Sequence, residues 1–86
     1  MLTRAESSAL VERFRRYLRD RRLPVTRQRV TVAEVLLSSD DHPSVELLRR
    51  RLVERGEHVG MATLYRTVDA LVKSGLVRER DFGEGY

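Results

Sequence analysis

Apolar residues recur at helical spacing in four separate stretches of the chain. In the first, Leu10, Phe14, Tyr17 and Leu18 fall at i, i+4, i+7 and i+8, which is one stripe of an amphipathic helix. Thr3 and Glu6 precede them at capping-box spacing, so the pattern predicts a helix from about Arg4 to Arg21. Pro24 disfavours helical backbone at Leu23 and marks a boundary. Thr26 then has the place of an N-cap. Behind it Val30, Ala33 and Leu37 share a face, and the polar run Ser38-Ser39-Asp40-Asp41 ends the second pattern. The third begins at His42-Pro43-Ser44, with Ser44 as N-cap and Glu46 in the first turn, where the helix dipole favours an anion. Val45, Leu48 and Leu52 form its inner face, and Arg55-Gly56 supplies a stop.

A short link from Gly56 to Gly60 leads into the fourth pattern. Met61, Leu64, Val68, Leu71 and Val72 fall within one wide apolar face; Ala62, Arg66, Asp69 and Lys73 fall opposite, with Tyr65 on the flank. Ser74-Gly75 closes it. Leu76 to Arg80 then alternates like a strand, and Asp81-Phe82-Gly83-Glu84-Gly85 reads as a turn with Tyr86 opening the return. The order predicts a mainly α fold with a small β-hairpin, a winged helix-turn-helix with an extra N-terminal helix, as one domain over residues 1–86. A lone strand leaves backbone groups unpaired, so the chain reads as the front part of a longer protein, stopped inside its wing.

Composition sharpens this picture. The 86 residues carry 17 Lys+Arg against 13 Asp+Glu, a formal charge of +4, and 41% are hydrophobic. Every cation except Lys73 is an arginine, the side chain that forks onto phosphate and guanine edges. A basic surface for a polyanion follows as the leading expectation. The absence of cysteine excludes a disulfide, a thiolate zinc site and a thiol nucleophile. No secretory h-region and no membrane-length apolar run occur, so a soluble cytoplasmic domain is expected. Nor is there a Gly-rich phosphate loop, an HExxH motif or a carboxylate pair on one helical face, which argues against an enzyme.

In a helix-turn-helix the second helix of the turn enters the major groove. Here that is the fourth helix, whose Ala62, Thr63, Tyr65, Arg66 and Thr67 combine small size with hydrogen-bonding groups. Packing against the apolar face is the alternative role of Tyr65. Arg27 and Arg29 lie in the first turn of the second helix, where a cation opposes the dipole and wants an anion nearby. Arg78 and Arg80 alternate onto one side of the wing strand, where they could straddle a phosphate line. The Arg49-Arg50-Arg51 run reads as a solvated face. A rival to DNA binding is a protein-interaction module that turns the basic face to an acidic partner.

At Gly60-Met61-Ala62-Thr63-Leu64-Tyr65-Arg66-Thr67-Val68 the sequence resembles the ferric-uptake-regulator family of bacterial metal-dependent transcription factors, in which Ala-Thr-[Val/Leu]-Tyr-Arg marks the recognition helix. Val25-Thr26-Arg27-Gln28-Arg29, Glu34-Val35-Leu36, the segment from His42 to Leu48, and Gly75-Leu76-Val77 through Gly85 match in order and spacing. The resemblance implies a DNA-binding domain preceding a dimerisation domain, and repression by homodimers on A/T-rich palindromic double-stranded DNA; the fragment alone would be monomeric. By match, Tyr65 would contact a base, and Arg66 the backbone or a guanine. His42 would be one ligand of a divalent metal (iron, zinc or manganese) whose other ligands belong to the second domain, as would any structural zinc. Where family members often carry a basic residue before the Val-Thr pair, this chain has Pro24, with Arg21 and Arg22 the nearest cations before it.

Overall fold

A computed structural model describes residues 3–39, 41 and 43–78. Four helices follow in order: α1 (Arg4–Asp20), α2 (Arg27–Leu37), α3 (Val45–Glu54) and α4 (Met61–Lys73). Their starts are chemically specified. Thr3 and Glu6 form the reciprocal capping box of α1, with Glu6 N–H donating to Thr3 Oγ1 at 3.1 Å and Thr3 N–H donating to Glu6 Oε1 at 3.0 Å. Thr26 caps α2 by accepting from Arg29 N–H, and Ser44 caps α3 by accepting from Leu47 N–H. Only α4 starts without a side-chain cap, at Gly60.

The ends of α1 and α3 share one device. In each, two N–H groups beyond the helix fold back onto its last carbonyls, as in a Schellman motif: Arg22 to Arg19 and Leu23 to Leu18 after α1, Gly56 to Val53 and Glu57 to Leu52 after α3. The motif needs a left-handed residue. Gly56 supplies it after α3 with φ 79°, whereas after α1 the position is occupied by Arg22 with φ 57°.

Helix α2 is the centre of the molecule and packs against each of the other three. Val30, Ala33 and Leu37 are buried as their spacing predicts, but so are Thr31, Val32, Val35 and Leu36. A helix enclosed from several sides has no polar stripe for periodicity to reveal. Phe14 and Leu18 of α1, Leu48 and Leu52 of α3, and Leu64, Val68 and Leu71 of α4 close around it, all fully buried. Val11 of α1 joins this core.

Two expectations about packing are corrected. The buried arc of α4 consists of Leu64, Thr67, Val68, Ala70 and Leu71, while Met61 is 37% exposed and Val72 only half-buried. The arc is rotated from the predicted one toward the small side chains Thr67 and Ala70, which fit where neighbouring helices approach closely. Among the described residues the expected β-hairpin is not seen. Leu76 and Val77 lean on the core instead of alternating, Val77 N–H reaches Leu71 O at 3.4 Å, and Arg78 follows without strand structure. Arg80, the turn at 81–85 and Tyr86 lie outside the described residues.

Candidate nucleic-acid interface

The link from α3 to α4 is fixed at both ends. After the Schellman turn at Gly56 and Glu57, Val59 inserts into the core and Gly60 begins α4. Helices α3 and α4 pack together and both lie on α2, the arrangement in which the second helix of the pair is free to present one face outward. On α4 that face carries Ala62, Tyr65 and Arg66, all exposed, with Thr63 half-buried beside them. Tyr65 is 43% exposed and stands outside the buried arc. Its phenol is accessible to a partner.

Thr67 does not belong to this face. It is fully buried and its hydroxyl donates to Thr63 O at 2.7 Å, one turn back. Burial removes it from the set of exposed contact residues, and the hydrogen bond satisfies the only polar group that burial would penalise.

Cations from three helices surround Arg66. An open cleft of about 420 Å³ is lined by Tyr17 and Arg21 of the α1 end, Arg29 of α2, and Arg66, Asp69 and Lys73 of α4. Arg21 lies over the Tyr17 ring, 5.1 Å from its centroid. Arg29 is half-buried and donates from Nη1 to Pro24 O at 3.3 Å, which ties it to the loop before α2. Lys73 bonds Asp69 at 2.9 Å, and this carboxylate raises the ammonium pKa above its ordinary value. Arg21 was legible only as a distant substitute for the missing cation at Pro24; the Tyr17–Arg21 spacing of four is the signal that places it here.

Arg27, at the first position of α2, reaches across to the α3–α4 turn and donates from Nη2 to Glu57 Oε1 at 2.8 Å. The anion it wanted is thus met within the molecule. The arginine run of α3 divides: Arg49 and Arg50 are exposed as expected, but Arg51 is half-buried and forks onto both carboxylate oxygens of Asp41 at 2.9 and 2.5 Å. That fork fastens the α2–α3 link to α3. Arg78 is exposed beyond α4.

No three His, Cys, Asp or Glu come together among the described residues, so these residues do not fit a metal site. His42 lies outside them. No helix among the described residues is long and apolar enough to cross a membrane.

The sequence model of the ferric uptake regulator family matches residues 20–86, which include α2, the α3–α4 unit and everything after it. The chain belongs to the ferric uptake regulator family. Curated members resemble it closely in this region. The ferric uptake regulation protein of Rhizobium leguminosarum bv. viciae is 38% identical over 66 residues, 77% of this chain and 46% of that protein. The zinc uptake regulation protein of Mycobacterium tuberculosis is 42% identical over 52 residues, 60% of this chain and 40% of that protein. The ferric uptake regulation protein of Escherichia coli K12 is 39% identical over 64 residues, 73% of this chain and 43% of that protein. The chain therefore spans about half the length of the curated ferric uptake regulator proteins it matches. No solved structure matches it significantly.

Proposed function

We propose that the chain is the double-stranded-DNA-binding domain of a metal-responsive transcriptional regulator, a repressor of metal uptake or oxidative-stress genes. The observation that carries this reading is the outward face of α4, where Ala62, Tyr65 and Arg66 are exposed and Arg66 shares a cleft with Arg21 at the α1 end and Arg29 of α2. Helix α4 enters the major groove. Tyr65 and Arg66 meet base edges or the adjoining backbone, Ala62 and Thr63 allow close approach, and Arg27 and Arg29 take phosphates. Arg78, exposed beyond α4, and Arg80 take phosphates next to those met by α2. Membership of the family supports the regulatory part of this reading, as do relatives named for ferric and zinc uptake.

In the complete regulator a second domain pairs two copies so that their α4 helices meet the halves of an A/T-rich palindrome. Linkage raises affinity through effective concentration without new contacts. His42 is one ligand of the regulatory divalent metal there.

Titration of this chain with an A/T-rich palindromic duplex and a scrambled duplex tests the DNA reading. Binding should prefer the palindrome by a margin that Tyr65→Ala removes, at a cost of about 1–3 kcal/mol in discrimination and with thermal unfolding little changed. If Tyr65→Ala melts the domain and leaves discrimination intact, Tyr65 is a packing residue and the reading of α4 fails.

A further inference from the structure

The geometry points to Glu57 as a positioning residue for phosphate binding: from the α3–α4 turn it holds Arg27 in place as an aimed but still open guanidinium. This inference rests on the DNA-binding reading and adds to it a residue that contacts no nucleic acid itself.

Three observations carry it. First, Glu57 has a fixed origin. Its N–H donates to Leu52 O at 2.9 Å as the last bond of the Schellman turn, and the preceding Gly56 adopts φ 79°. The carboxylate therefore springs from a backbone that the end of α3 holds rigid. Second, the two partners differ sharply in exposure. The Glu57 side chain is 19% exposed, set into a cleft lined also by Arg15 and Arg55, whereas the Arg27 side chain is 84% exposed. A sheltered acceptor holds a projecting donor. Third, the contact uses little of the guanidinium. Among the described residues Arg27 donates only through Nη2, while Arg51 spends both Nη atoms on Asp41. Arg27 keeps most of its donors for a ligand; Arg51 does not.

The physical need for such a tether follows from where Arg27 stands. At the first position of α2 its charge is repelled by the positive end of the helix, and a long side chain with no partner samples many rotamers. Immobilising it on a phosphate would cost that freedom at the moment of binding. By accepting the Nη2 hydrogen bond, Glu57 restricts the side chain beforehand.

The test measures affinity of the chain for the palindromic and scrambled duplexes with Arg27→Ala, Glu57→Ala, Glu57→Gln and the Arg27→Ala/Glu57→Ala double variant, each checked for cooperative thermal unfolding. Arg27→Ala should weaken both duplexes about three- to tenfold. Glu57→Ala should weaken them to a similar extent and add nothing in the Arg27→Ala background, since the two act as one unit. Glu57→Gln, whose amide oxygen accepts the same bond from Nη2, should restore wild-type affinity. Unchanged or tighter binding by Glu57→Ala, with Arg27→Ala still weak, overturns the positioning role and leaves DNA binding standing. Glu57→Gln as weak as Glu57→Ala also overturns it, because charge compensation rather than aim would then be at work. If Arg27→Ala and Tyr65→Ala both leave every duplex unaffected, the DNA reading itself falls.

Discussion

Arg22 occupies a left-handed position that glycine fills without steric cost, as Gly56 does after α3. Arg22→Gly should therefore raise stability by up to about 1 kcal/mol, read as an increase in the denaturation midpoint. A loss of stability would mean that the arginine side chain supports the α1 end in a way that outweighs its backbone strain. Thr67 poses the opposite question, because its burial takes it off the proposed DNA face. Thr67→Val keeps the shape and removes a hydroxyl together with its bond to Thr63 O, so stability should change by no more than about 1 kcal/mol. Duplex affinity should not change at all; a clear drop would return Thr67 to the contacting residues. Both positions were opaque in the sequence for the same reason. Side-chain type alone names neither the φ of Arg22 nor the rotation of α4 that turns Thr67 inward.

The elements were more legible than their orientations. Thr3, Thr26 and Ser44 announced three helix starts through local hydrogen bonds that need only neighbouring residues. Val45, Leu48 and Leu52 gave the buried side of α3 because that helix has one wet side. In α2 the apolar spacing marks three of the buried residues and leaves four unmarked, since enclosure is a property of its surroundings. Likewise Arg27–Glu57 joins residues 30 positions apart, which no local pattern encodes. The capping box of α1 also carries a pH dependence. Hydrogen bonds from the backbone and side chain of Thr3 lower the Glu6 pKa below its ordinary 4.5. A carboxyl group depressed in the folded state stabilises above its unfolded pKa and loses that contribution as pH falls through the folded value. Protection of the first-turn amides of α1, measured against their intrinsic exchange rates, should thus fall below pH 4.5, and Glu6→Gln should flatten this dependence. An identical acid profile in the variant would remove the box as its cause.

Across the whole molecule, some 29 × 28 × 25 Å, the net charge of +4 is less informative than its distribution. Charges farther from the DNA than a Debye length, about 10 Å at 0.1 M salt, are largely screened. The proposed phosphate contacts Arg27, Arg29 and Arg66, joined by Arg78 and Arg80, should give log affinity against log salt a slope of about −3 to −5. Arg27→Ala should shallow that slope by about 1, while Arg49→Ala and Arg50→Ala on α3 should leave it unaltered. Equal effects from all of these arginines would indicate diffuse attraction in place of a defined contact line.

The two sides of α4 draw on separate residues. Leu64, Thr67, Val68, Ala70 and Leu71 anchor it, and Ala62, Tyr65, Arg66, Asp69 and Lys73 face away from that anchor. Because the one hydroxyl caught on the inner side is satisfied by a backbone carbonyl of the helix, no outer side chain is needed to pair it. Substitutions on the outer face can then drift without loss of folding. A lineage could exchange one operator for another through a handful of neutral intermediates, and a designer could randomise those outer positions as a library while the scaffold beneath stays constant.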